Sequence, residues 1–320
     1  MKQEVSSFWY TPKGYKGIGL MELLSIKSFL DNNYKFILYT YNLDDKIFNQ
    51  LDKIFNDFEL KDANEIIPFD EYFNDDRGAG VAAFSDYFRY KMLYARGGVW
   101  VDLDMICLCH INLDQEYIFS QEIDEDENHL RITTSFLKFP KNCDFGKILI
   151  SEAEKIIDHK KQIPWGVIGP SFLAEWVEKN QLKKYAWDYK KTCQIPWIKA
   201  KDFIEKNVVL DTNQPFIHLF SEMWNTYEMN KNCFYKNGIY ACLLKRYGID
   251  ILISNIGYQL TLKDRFCARI KNFKKLRFYL RHPKKNFSKR IIMPKISIIL
   301  PTYNVKPYKI NEFVSKYYFE

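Results

Sequence analysis

The hydrophobic positions of this chain alternate between two periods, and the alternation predicts its elements. Val5 to Tyr10 reads as a first strand, and the Pro/Gly-rich stretch Thr11 to Gly19 as a loop. Leu20 to Leu30 has helical spacing and stops at the turn cluster Asp31-Asn32-Asn33. Lys35 to Thr40 predicts a second strand, Lys46 to Phe58 a helix, and Ile66-Ile67-Pro68 a short strand closed by proline. A further helix is expected over about Gly80 to Ala95. There Val81, Phe84, Phe88, Met92 and Ala95 make a buried stripe, and Gly97-Gly98 ends it. Val99 to Leu103 then reads as a buried strand. Strand–helix alternation of this kind is the α/β signature. No linker-like, low-complexity or repeated segment interrupts residues 1–260, which are expected to be one domain.

Charge changes this picture at one end only. The 320 residues carry a net +7, yet residues 261–295 hold thirteen Lys/Arg against the single acid Asp264. That stretch is +12 and the rest sums to −5. Phe266, Ile270, Phe273, Leu276 and Leu280 form a helical stripe within it, flanked by Arg and Lys. A basic amphipathic helix over 261–294 suits an anionic membrane surface. A packed helix with a solvated basic face fits the same pattern. No nucleic-acid-binding module accompanies the charge, so nucleic acid is not expected as a partner. No run approaches the roughly 20 apolar residues of a membrane-spanning helix, and the N-terminus lacks a signal-peptide core. The seven cysteines show no C-x-x-C pair and no zinc spacing, which points to reduced thiols and a cytoplasmic location.

Candidate chemistry concentrates after the buried strand. Asp102 and Asp104 are two apart, a spacing that on a strand end points both carboxylates to one face and suits Mn²⁺ or Mg²⁺. Asp86 and Arg89 are three apart and neighbours on the preceding helix. As residues alone, they fit either an ordinary surface ion pair or a hydroxyl acceptor beside a phosphate or sugar donor.

The whole segment FSDYFRYKMLYARGGVWVDLD, Phe84 to Asp104, resembles the S-D-x-x-R…G-G-x-[YW]-x-D-x-D signature of retaining glycosyltransferases with the GT-A fold, and most closely glycosyltransferase family 32. The domains of the clostridial glucosylating toxins are similar. The resemblance implies a Rossmann-like mixed sheet flanked by helices that binds a nucleotide sugar. It implies Trp9 stacked on the base, Ser85, Asp86 and Arg89 on the sugar nucleotide, and Trp100 beside the D-x-D pair. WGVIGP, Trp165 to Pro170, resembles the family's G-P loop, which places Gly169 and Pro170 at the donor. HLFSEMW, from His218, resembles its H-L-W-x-x-x-W element and makes His218 the expected third metal ligand with Asp102 and Asp104. Phe220 stands where the family has tryptophan.

On this resemblance Asp102, Asp104 and Arg89 are the expected catalytic residues. The expected reaction moves a hexose or N-acetylhexosamine, UDP-linked by preference, to a glycan or lipid-linked glycan acceptor. Bacterial capsule or lipooligosaccharide synthesis at the inner face of the plasma membrane is the implied setting. A haloacid-dehalogenase-type phosphatase also uses D-x-D, but places it on its first strand. A non-catalytic scaffold on the same fold is the other alternative. Residues 295–320 open with KISIILPTYNV, which resembles the start of a family 2 glycosyltransferase.

Overall fold

The computed structural model describes residues 2–206, 209–261 and 264. These residues belong to one compact unit. The expectations for the basic helix and for residues 295–320 fall outside the described residues, apart from Thr261 and Asp264.

The chain begins β1 (Gln3–Trp9), α1 (Leu20–Asp31), β2 (Tyr34–Thr40), α2 (Lys46–Ile54) and β3 (Phe58–Asp62). A short β4 (Asn74–Asp75) precedes α3 (Ala82–Arg96), β5 (Gly98–Val101) and β6 (Met105–Cys107). The hairpin β7 (Ile118–Ile123) and β8 (Leu130–Phe139) leads to α4 (Asp144–Ile157), β9 (Gln162–Ile163) and α5 (Pro170–Lys179). After α6 (Asp202–Glu205) come β10 (Phe216–His218), α7 (Ser221–Thr226), α8 (Ile239–Arg246) and α9 (Ile249–Asn255).

The main sheet has the order β3-β2-β1-β5-β8-β7. Four strands are parallel, β8 runs antiparallel to β5, and β7 antiparallel to β8. Period-two alternation sorts each strand between two cores. Val5, Leu38 and Val99 face one with α1, while Phe8, Ile37 and Trp100 face the other with α3. This is the mixed α/β architecture expected. Strand order reverses at β1, and the carboxyl ends of the strands at such a point are where sheets of this type bind ligands.

Local chemistry sets the ends of the elements around this point. In α1 the Gly19 amide donates to Glu22 Oε2 at 2.8 Å, and the Leu20 amide to Asn232 Oδ1 at 2.9 Å. Helix α3 has no cap of its own; Asp75, eight residues upstream, accepts from the Ala83 amide at 2.9 Å. It ends at Gly97, φ 71°, where a Cβ would come within 2.9 Å of the Lys141 amide nitrogen.

Three expectations need correction. The third strand is Phe58–Asp62, not Ile66-Ile67-Pro68, because the predicted helix before it stops at Ile54 and frees Phe58 to pair with Phe36. The buried strand ends at Val101, so Asp102 and Asp104 lie in a turn closed by the Met105 amide on the Asp102 carbonyl at 3.0 Å. Cys107, Cys109, Cys143, Cys193 and Cys242 are free thiols, but Cys233 is disulfide-bonded, so reduced thiols do not describe all the cysteines. Among the described residues no helix is long and apolar enough to cross a membrane.

Candidate functional site

The site assembles from three chain segments that only the fold brings together. The first is the turn after β5. Trp100 is 1% exposed beneath it, and its indole Nε1 donates to Asp102 Oδ1 at 2.8 Å. Asp102 also receives the Arg89 guanidinium, with Nη1 at 3.1 Å from Oδ1. Its amide donates to the Ser135 carbonyl on β8 at 2.8 Å. Asp104 accepts from the Ser221 amide at 2.7 Å.

The second segment is α3. Asp86 and Arg89 are 7% and 4% exposed, so this is no surface ion pair. The helix is covered on its outer side by α4 and the loop before α5, which buries positions off its sheet-facing stripe. Arg89 Nη2 lies 3.2 Å from Asp86 Oδ1, its Nη1 donates to the Thr134 carbonyl, and its plane covers the Trp100 ring at 4.9 Å. Ser85, at the mouth, accepts weakly from the same guanidinium through Oγ at 3.4 Å. Gly169 packs against Asp86: a Cβ there would sit 3.0 Å from Asp86 Oδ2. Pro170 follows as the first residue of α5.

The third segment is β10 and the turn after it. Antiparallel pairing with β6 sets His218 opposite Met105, next to Asp104. His218 Nε2 is 3.2 Å from Asp104 Oδ1. Phe220 adopts the left-handed conformation, φ 55° and ψ 62°, which turns the Ser221 amide onto Asp104. Its ring lies 4.1 Å, centroid to centroid, from the His218 imidazole. Asp102, Asp104 and His218 thus present three ligand atoms within 4.8 Å of one another. Two carboxylate oxygens and one imidazole nitrogen suit a Mn²⁺- or Mg²⁺-class ion. The 3.2 Å between His218 and Asp104 is close to the ~3 Å separating neighbouring ligands on an octahedral ion of ~2.1 Å bond length.

The electrostatics follow from burial. Burial drives the Asp86 carboxyl up to about 7, against the pull of Arg89. Burial also pushes Asp102 up, opposed by Arg89 and aided by Asp104. For Asp104, burial is outweighed by His218 and the Ser221 amide, which hold it well below the usual carboxylate range. Burial alone would pull His218 down, but Asp104 and Glu122 lift it to about 10. Without a cation the carboxylates recruit a proton on His218 to balance their charge.

Trp9 is half-buried at the end of β1, its Nε1 donating to Thr11 Oγ1 at 2.8 Å. Sequence reasoning missed two groups here. Lys231 places its Nζ 5.9 Å from the Trp9 ring centroid and pairs with the buried Glu22. Glu122 on β7 is 3% exposed, with Oε2 3.5 Å from His218 Nδ1. An acid inside the apolar run IFSQEI was the available signal for the second. Nothing in the sequence marked Lys231.

A family model described as "Glycosyltransferase sugar-binding region containing DXD motif" matches residues 21–124. That segment runs from α1 through β7 and contains Ser85, Asp86, Arg89, Asp102, Asp104 and Glu122. The chain is a glycosyltransferase. The matched region is family 32-like and contains the D-x-D pair Asp102 and Asp104. A comparison with curated proteins finds no match. Among solved structures, one described as "PaToxG Glycosyltransferase" is similar at 12% identity and a TM-score of 0.42, covering 84% of this chain and 84% of that chain. A transferase mutant is similar at 10% identity and a TM-score of 0.41, covering 68% of this chain and 93% of that chain. Likenesses this distant have no bearing on substrate or mechanism.

Proposed function

We propose that this glycosyltransferase is metal-dependent and retaining, and moves a hexose or N-acetylhexosamine from a nucleotide sugar to a glycan acceptor. The observation that carries the reading is the convergence of Asp102, Asp104 and His218 within 4.8 Å at the carboxyl end of β5. A divalent cation bound there supplies Lewis-acid stabilisation of the departing diphosphate.

The chain's own residues do the rest. Trp9 offers a half-exposed ring for a base, and a uridine nucleotide is the proposed donor. Lys231 above that ring adds a cation for the diphosphate. Ser85 and Asp86 take sugar hydroxyls, with Gly169 and Pro170 closing the far side of Asp86. Arg89 neutralises Asp86 and Asp102 together and keeps both carboxylates in place. Trp100 holds Asp102 from below. No side chain is assigned as a covalent nucleophile; the acceptor hydroxyl attacks the anomeric carbon on the face from which the nucleoside diphosphate departs, through an oxocarbenium-like state, and its proton passes to the departing phosphate oxygen. The resemblance to capsule and lipooligosaccharide enzymes and the basic segment 261–294 support a lipid-linked acceptor at the cytoplasmic face of a bacterial membrane.

The test is release of nucleoside diphosphate from UDP- and GDP-sugars with Mn²⁺. The expected result is donor-selective release, abolished by EDTA and by Asp104→Ala. Full activity without metal would overturn the reading. Silence with every donor and acceptor would favour the scaffold alternative.

A further inference from the structure

Two of the buried side-chain atoms without a hydrogen-bond partner face one another: Glu122 Oε2 and His218 Nδ1, 3.5 Å apart. Leaving a buried polar atom unpaired is costly, and here both orphans belong to one pair. We propose that Glu122 is a positioning residue for the metal site. Its carboxylate accepts a hydrogen bond from Nδ1–H of His218, so the unprotonated Nε2 points at the ion shared with Asp102 and Asp104. The inference rests on the metal-dependent reading above.

The placement supports this in three ways. His218 Nε2 already lies on the Asp104 side of the ring, 3.2 Å from Oδ1, so Nδ1 is the nitrogen left over. The other oxygen of Glu122 is anchored: Oε1 accepts from Arg131 Nε at 2.7 Å and lies 2.6 Å from Nη2. Arg131 is in turn tied to Asp124 at 3.3 Å and covers the Trp197 ring at 5.6 Å. Glu122 is therefore fixed by one oxygen and free by the other. A carboxylate kept on β7 only to pair Arg131 would not need its second oxygen buried against a histidine. Metal-ligating histidines generally give their second nitrogen to such a carboxylate, which sets the tautomer and the ring plane. Phe220 packs on the ring, and the Thr192 carbonyl accepts the His218 backbone amide at 2.8 Å.

The experiment measures Mn²⁺ binding to the full chain by the electron paramagnetic resonance signal of free Mn²⁺, with no turnover involved. Glu122→Ala should weaken Mn²⁺ binding ~10–100-fold, while Asp104→Ala abolishes it. A Glu122→Ala protein that keeps wild-type Mn²⁺ affinity overturns the proposal, and with Asp104→Ala still inactive in binding, it leaves the metal site standing. Unchanged binding in Asp104→Ala brings down the metal reading and this inference with it. A second readout uses the wild type alone, so it survives any folding failure of the variant. In the Zn²⁺-loaded protein, long-range ¹H–¹⁵N correlations of His218 should show a protonated Nδ1 and a ligating Nε2. The opposite tautomer overturns the assignment.

Discussion

Arg89 is the residue on which the proposed donor side of the site turns. One buried guanidinium serves Asp86, Asp102 and the Thr134 carbonyl, so its loss would leave two buried carboxylates uncompensated. Asp86 carries the clearest pH signature. Its folded carboxyl sits at about 7 against an ordinary 3.8. A group raised in this way contributes stability that is fully present below 3.8 and is lost as pH rises through about 7. Asp86→Asn removes that slope. Its melting temperature in EDTA should therefore gain on the wild type between pH 4 and pH 7, and a constant gap across that window would refute the shift. Trp100→Phe removes the indole that fixes Asp102 at 2.8 Å. Expected is several-fold weaker Mn²⁺ binding with the fold retained, read by titration calorimetry and circular dichroism.

At the scale of elements, the site depends on how β10 and the α3–β5 turn are held. Trp224 is wholly buried, and its Nε1 donates to the Leu219 carbonyl at 2.8 Å, directly beside His218. Trp224→Ala should destabilise the protein by ~3–5 kcal/mol in urea unfolding. Gly97, at φ 71° with the Lys141 amide nitrogen 2.9 Å from where a Cβ would lie, has no room for a side chain. Gly97→Ala should cost ~1–3 kcal/mol by the same measurement, and a neutral result would mean that the turn can reshape. Helix α3 was legible from Phe84, Phe88 and Met92, since its stripe has one period throughout. The third strand was misplaced because Ile66 and Ile67 imitate a strand locally. Only pairing with β2 reveals that Phe58–Asp62 carries the ladder.

At the scale of the whole molecule, charge is divided unevenly. Residues 261–295 carry +12 and the remainder −5. Asp264, the single acid of the basic stretch, is drawn into the body by Lys16 at 2.7 Å and by Asn230. The full chain is expected to co-sediment with anionic vesicles, to ignore zwitterionic ones, and to release at high salt. Equal binding to both vesicle types would reject the membrane role.

Periodicity alone determined most of the strand–helix alternation, and Phe84 to Asp104 alone marked the proposed donor-side residues, because both are written in short runs of chain. The resemblance further singled out His218, but its meeting with Asp104 is a tertiary fact. The two are over a hundred residues apart, and only the β6–β10 pairing sets them 3.2 Å apart. Burial was decided in the same way. Asp86 and Arg89 look like a surface pair until α4 and the loop before α5 cover them, and Glu122 is one acid among many until β7 sets it against His218. Local sequence encodes what a residue can do; the fold decides which partner it does it with, because desolvation and distance exist only between packed elements.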